Sequence, residues 1–78
     1  MLTLDNLSAG DWGTIVALDG DDSITHRLLE LGFLPGTRIE VIGFAPLGDP
    51  VAVFVRGSRM AIRLRDARRI RVNPATAS

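Results

Sequence analysis

The chain has 78 residues, 46% of them hydrophobic and 23% charged, with nine basic and nine acidic side chains and no cysteine. That length holds one domain with a small core, that composition excludes disorder, and the longest uncharged run, Val41–Gly48, is too short to span a bilayer. The balanced charge and an N-terminus without the basic region or long apolar run of a signal peptide predict a small cytoplasmic domain.

In chain order, the first alternation of apolar and polar residues runs from Thr14 to Leu18, entered through Asp11-Trp12-Gly13 and left through Asp19-Gly20-Asp21-Asp22. Residues 22–31 change the rhythm. Ile24, Leu28 and Leu31 recur at spacings of four and three, which predicts a helix with that stripe inward. Asp22 or Ser23 caps it, Gly32 stops it, and Pro35-Gly36 turns the chain. Period two then returns. Thr37–Phe44 places Ile39 and Val41 inward, and Val51–Arg56 does the same with Val51, Val53 and Val55. Arg59–Arg65 directs Met60, Ile62 and Leu64 inward and Arg59, Ala61, Arg63 and Arg65 outward. Ile70 and Val72 complete the inward set, with Arg69 and Arg71 outward. These elements predict a mainly β fold: a small barrel of about five strands, closed to remove its edges, with one short helix. The domain covers residues 1–74, and residues 75–78 form a frayed tail with nothing to pack.

The inventory removes whole classes of chemistry. Every base is arginine, so there is no phosphate-loop lysine and no Schiff base. Without cysteine there is no thiol nucleophile, and a single histidine, His26, excludes a multi-histidine zinc site. Ser23, three residues before His26, serves as a helix cap in the absence of an orienting acid and an oxyanion hole. No enzyme is expected.

What remains points to binding. Residues 1–55 hold eight acids against two arginines, whereas residues 56–78 hold seven arginines against one acid. Two readings stand: acidic and basic strands pair within the barrel, or the arginines face an acidic partner. Outward alternation makes Arg59, Arg63 and Arg65 one basic row, with Arg69 and Arg71 on a strand that can neighbour it. Leu29 projects away from the apolar helix stripe, and Ile42, Phe44 and Phe54 take the outward phase of their strands. Leu29 and Phe54 are therefore the candidate apolar anchors. Binding of RNA through the arginine-rich strands is the alternative, although Phe54 is the one stacking aromatic close to them in sequence. Asp22, His26 and Glu30, spaced by four, line one stripe of the helix. They form either a solvated polar face or a weak surface site for a divalent metal, most readily where two copies meet as a homodimer. No cofactor is expected.

The most distinctive stretches are Arg27-Leu28-Leu29-Glu30-Leu31-Gly32-Phe33-Leu34-Pro35-Gly36-Thr37, Ala45-Pro46-Leu47-Gly48-Asp49-Pro50 and Ile62-Arg63-Leu64-Arg65-Asp66-Ala67. In order and spacing they resemble the FeoA family of bacterial ferrous iron transport accessory proteins, over about Leu7 to Val72. Two features depart from the pattern: two arginines, Arg63 and Arg65, sit in the late strand, and Asp49 stands where a second glycine is common. The resemblance implies an SH3-like β-barrel that is not an enzyme and binds no nucleic acid. It also implies docking on the cytoplasmic side or G-domain of the membrane transporter FeoB, modulation of transport or GTP turnover, and a location peripheral to the inner membrane. The same fold occurs at the C-terminus of iron-dependent repressors, but with no helix-turn-helix before it here, the repressor role is not implied.

Overall fold

In the computed structural model, residues 2–75 are described. They form β1 (Leu2–Thr3), a 3₁₀ turn (Leu4–Asn6), β2 (Trp12–Leu18), α1 (Ser23–Glu30), β3 (Arg38–Phe44), β4 (Val51–Val55), β5 (Ser58–Ile62), α2 (Leu64–Ala67) and β6 (Ile70–Pro74). The strands make one antiparallel sheet in the order β1-β6-β2-β3-β4-β5. The fold is mainly β, as expected. Its pairing is open, however: β1 and β5 are the two ends of the order and are not joined to each other. Among the described residues there are six strands where about five were expected, and a second short helix, α2.

Period two places the core. Ile15, Ile39, Val41, Val51, Val53, Val55, Ile62, Ile70 and Val72 are buried on one face, and Leu4, Leu7, Leu28, Phe33 and Ala67 close over them. Each such aliphatic contributes about 1.5–3 kcal/mol when taken fully out of water.

Helix α1 begins at Asp22, whose carboxylate accepts the Thr25 N–H at 3.2 Å. It ends through the paired bonds of a Schellman motif: Phe33 N–H donates to Leu28 O at 3.1 Å and Gly32 N–H to Leu29 O at 3.0 Å. Gly32 has φ of 109°, a conformation that a side chain disfavours. This ending changes the predicted stripe. Leu28 is buried and Ile24 half-buried, but Leu31 follows the last helical residue and is exposed, and Phe33 takes the core position beyond the turn.

Two irregularities move side chains off the predicted phase. A bulge in β3 between Val41 and Gly43 sets Phe44 opposite buried Val51, so Phe44 is exposed at the end of the inward face, not as an outward residue. A second bulge, in β2 between Ile15 and Ala17, leaves Val16 exposed.

The predicted strand 59–65 stops at Ile62. There Asp49, in the β3–β4 turn, accepts the Leu64 N–H at 2.9 Å, and Ala67 N–H returns to Arg63 O at 3.0 Å, which winds residues 64–67 into α2. Arg63 occupies the cap position without a capping side chain, so Asp49 supplies the acceptor from a distant turn. At the C-terminus, Ala75 N–H donates to Trp12 O at 2.9 Å, which ties down the first residue of the predicted tail. Residues 76–78 lie outside the described residues.

Candidate docking surface

The outer face of the sheet is built by register. Trp12 on β2 stands opposite Glu40 on β3, Glu40 opposite Phe54 on β4, and Phe54 opposite Arg59 on β5. Trp12 is 38% and Phe54 45% exposed, large apolar surfaces left in water in the middle of a sheet. The Arg38 guanidinium lies 3.9 Å from the centroid of the Trp12 ring and its Nη2 is 3.8 Å from Glu40 Oε1, so stacking and charge hold it in one place. A cation over an exposed indole contributes about 0.5–1 kcal/mol. Arg38, Glu40, Phe54, Arg56 and Gly57 line a shallow groove on this face. Aromatic rings and arginines are the residue types that concentrate binding energy at protein interfaces.

The β4–β5 hairpin closes through the two residues Arg56 and Gly57, with φ of 52° and 79°. Such primed turns match the twist of the strands but require positive φ at both positions, a role suited to Asn-Gly. Arginine here is strained. Its stem runs past Gly32, where an added Cβ would stand 3.1 Å from Arg56 Cδ.

The arginines fall into two sets. Arg69 Nη1 meets Asp22 Oδ1 and Arg71 Nε meets Asp19 Oδ1, both at 2.8 Å. Arg27, Arg38 and Arg68 pair more loosely with Asp66, Glu40 and Asp5 at 3.7, 3.8 and 3.7 Å. Among the described residues, Arg56, Arg59, Arg63 and Arg65 have no carboxylate within 4 Å, and all four cluster in sequence around β5. They are not one row. The strand ends at Ile62, so Arg59 is a strand residue, Arg63 caps α2 and Arg65 lies within it. Leu29 is half-buried on α1 rather than exposed, and it does not line the groove beside Phe54.

Asp22, His26 and Glu30 are not brought together. The Arg69 guanidinium, and then the Thr25 N–H, bind the Asp22 carboxylate and hold its pKa below the ordinary carboxyl value. His26 Nε2 instead lies 3.5 Å from Asp21 Oδ1. Among the described residues, no three His, Asp or Glu side chains form a group able to hold a metal ion.

Four surface residues escaped sequence reasoning: Trp12, Arg38, Arg56 and Leu47. Leu47 is 96% exposed at the tip of the β3–β4 turn, which is braced by Ala45 N–H to Pro50 O at 3.0 Å, Gly48 N–H to Ala45 O at 2.7 Å and the Asp49–Leu64 bond. The outward phase of Arg38 was legible, but its stack on Trp12 depends on the β2–β3 register.

The model of the FeoA domain family matches residues 2–74. The Fe(2+) transport protein A/Fe(2+) transporter FeoB fusion protein of Porphyromonas gingivalis is 37% identical over 71 residues, which are 91% of this chain and 8% of that protein's length. The solution structure of the FeoA protein from Chlorobium tepidum superposes with a TM-score of 0.90 at 31% identity, over 99% of this chain and 73% of that one. The zinc complex of Stenotrophomonas maltophilia FeoA, described as a procaryotic SH3 domain protein, superposes with a TM-score of 0.82 at 30% identity, over 94% and 91%.

Proposed function

The chain belongs to the FeoA family, and on that premise we propose that it is a non-enzymatic accessory module of ferrous iron uptake that docks on the cytoplasmic side of the FeoB transporter and modulates transport or its GTPase. The observation that carries this reading is the relative in which the matching segment and the transporter are one polypeptide. Fusion raises the effective concentration of one module at the other to the millimolar range, so tethered modules interact even when intrinsic affinity is weak. The exposed Trp12, Phe54 and Leu47, together with Arg56, Arg59, Arg63 and Arg65, which have no carboxylate within 4 Å among the described residues, give apolar anchors and cationic charge for an acidic partner.

The residue inventory agrees with a binding module: no lysine, no cysteine and one histidine leave few groups for nucleophilic or acid–base work. No helix among the described residues is long and apolar enough to cross a membrane; the location at the membrane is proposed through the partner. The test is a pull-down with full-length FeoB and with its isolated G-domain, followed by ferrous uptake in cells lacking the native gene. Capture by the transporter and restored uptake support the reading. Normal uptake without this chain contradicts it.

A further inference from the structure

We infer that the open edge of β5 accepts an extended acidic segment of a partner protein as a seventh strand. The inference rests on the accessory reading for the partner's identity, and on the chemistry of the edge for everything else.

The hairpin geometry sets which groups are free. In a two-residue turn the flanking residues, here Val55 and Ser58, exchange both hydrogen bonds, and hydrogen-bonded pairs then alternate along the ladder. Ser58, Met60 and Ile62 therefore turn their main-chain groups toward β4. Arg59 and Ala61 turn theirs outward, where no strand follows in the sheet and, among the described residues, no other backbone group bonds to them. That is the template on which an added strand pairs.

Charge selects the occupant. The four arginines without a carboxylate within 4 Å among the described residues stand just before, on and just after this strand: Arg56, Arg59, Arg63 and Arg65. A second copy pairing through the same edge would bring two such sets together, and like charges across a ladder destabilise it. An incoming strand with carboxylates at alternate positions meets guanidinium groups that form bidentate pairs with carboxylates. Its side chains on the outer face stand beside Arg59, which itself stands directly opposite Phe54.

The test has two arms, both on the full chain. In the first, the probe is a synthetic twelve-residue peptide alternating Glu with Val, compared with its Lys-for-Glu counterpart. The Glu peptide should shift the Arg59 and Ala61 amide resonances and slow their hydrogen exchange at least ten-fold, and the Lys peptide should do neither. No change at β5, equal effects of both peptides, or displacement of the Glu peptide from this edge by generic single-stranded RNA overturns the inference. In the second arm, affinity for full-length FeoB is measured for two variants. Ala61→Pro removes an outward N–H that an edge strand can spare. Arg59→Glu with Arg63→Glu reverses the charge and keeps the main chain free, so it stands as the test if the proline variant does not fold. Each should weaken binding at least ten-fold. Unchanged affinity overturns strand addition and leaves the accessory reading intact. Binding of the Glu peptide at β5 with no binding of FeoB does the opposite.

Discussion

Replacing Arg56 with Asn should make the protein more stable and a poorer partner. Arg56 holds φ of 52° at the first position of the two-residue β4–β5 turn. The left-handed region costs an ordinary L-residue about 1–2 kcal/mol, and Asn tolerates it better because its short side chain bonds locally. The stem of Arg56 passes over Gly32, so some contact is lost with the side chain, but the residue is exposed and that loss is small. The net expectation is a gain of about 1 kcal/mol, which for a domain of this size raises the melting temperature by about 4–8 °C. Urea titration and a thermal melt measure it, and the slope of the urea transition should be unchanged. FeoB binding, measured in parallel, should weaken as one of the four arginine charges without a carboxylate partner among the described residues is removed. A lower denaturation midpoint for Arg56→Asn would refute the reasoning, because it would mean that contacts of the arginine outweigh the strain of its backbone.

Asp49→Ala removes the acceptor of the Leu64 N–H and should destabilise the fold by about 1 kcal/mol, read as a lower urea midpoint, whereas Asp49→Asn should retain most of the stability. Asp22, held below its ordinary pKa mainly by Arg69, contributes stability that is complete above about pH 4 and is lost as pH falls through its lower folded value. Asp22→Asn should accordingly flatten the stability profile in that acid window, followed by circular dichroism. Leu47→Asp should leave the melting temperature within error, since the side chain touches almost nothing, while ferrous uptake falls if the β3–β4 turn is an anchor. If zinc binds at the helix surface, His26→Ala should abolish it in a calorimetric titration, and Asp22→Ala, whose carboxylate is already bound by Arg69, should change it less.

Strand β4 was legible because its alternation is uninterrupted. Val51, Val53 and Val55 read inward from sequence and are buried. Gly32 read as a helix stop and is one. The losses have identifiable causes. Met60, Ile62 and Leu64 continue the alternation of β5 straight into α2, and the break comes from Asp49, fifteen residues away, which no local pattern displays. The β3 bulge shifts the phase between Ile42 and Phe44, so an alternation counted from Val41 puts Phe44 on the wrong face. Two-residue β1 is too short to show any period. Of the predicted docking residues, Phe54 and Arg59 stand opposite each other as neighbours, because both lie on strands whose phase was clear. Arg63 and Arg65 leave the strand with α2, and Leu29, off the apolar stripe of α1, is nevertheless half-buried.

The central claim is that this chain acts by docking on the transporter. It is tested most directly by titrating purified full-length FeoB in detergent with the chain while binding and GTP turnover are followed together. Saturable binding should appear, weaken with added salt as the arginines are screened, and change the rate of GTP turnover. Absence of binding to the intact transporter, at low salt and with the chain shown to be folded, would contradict it.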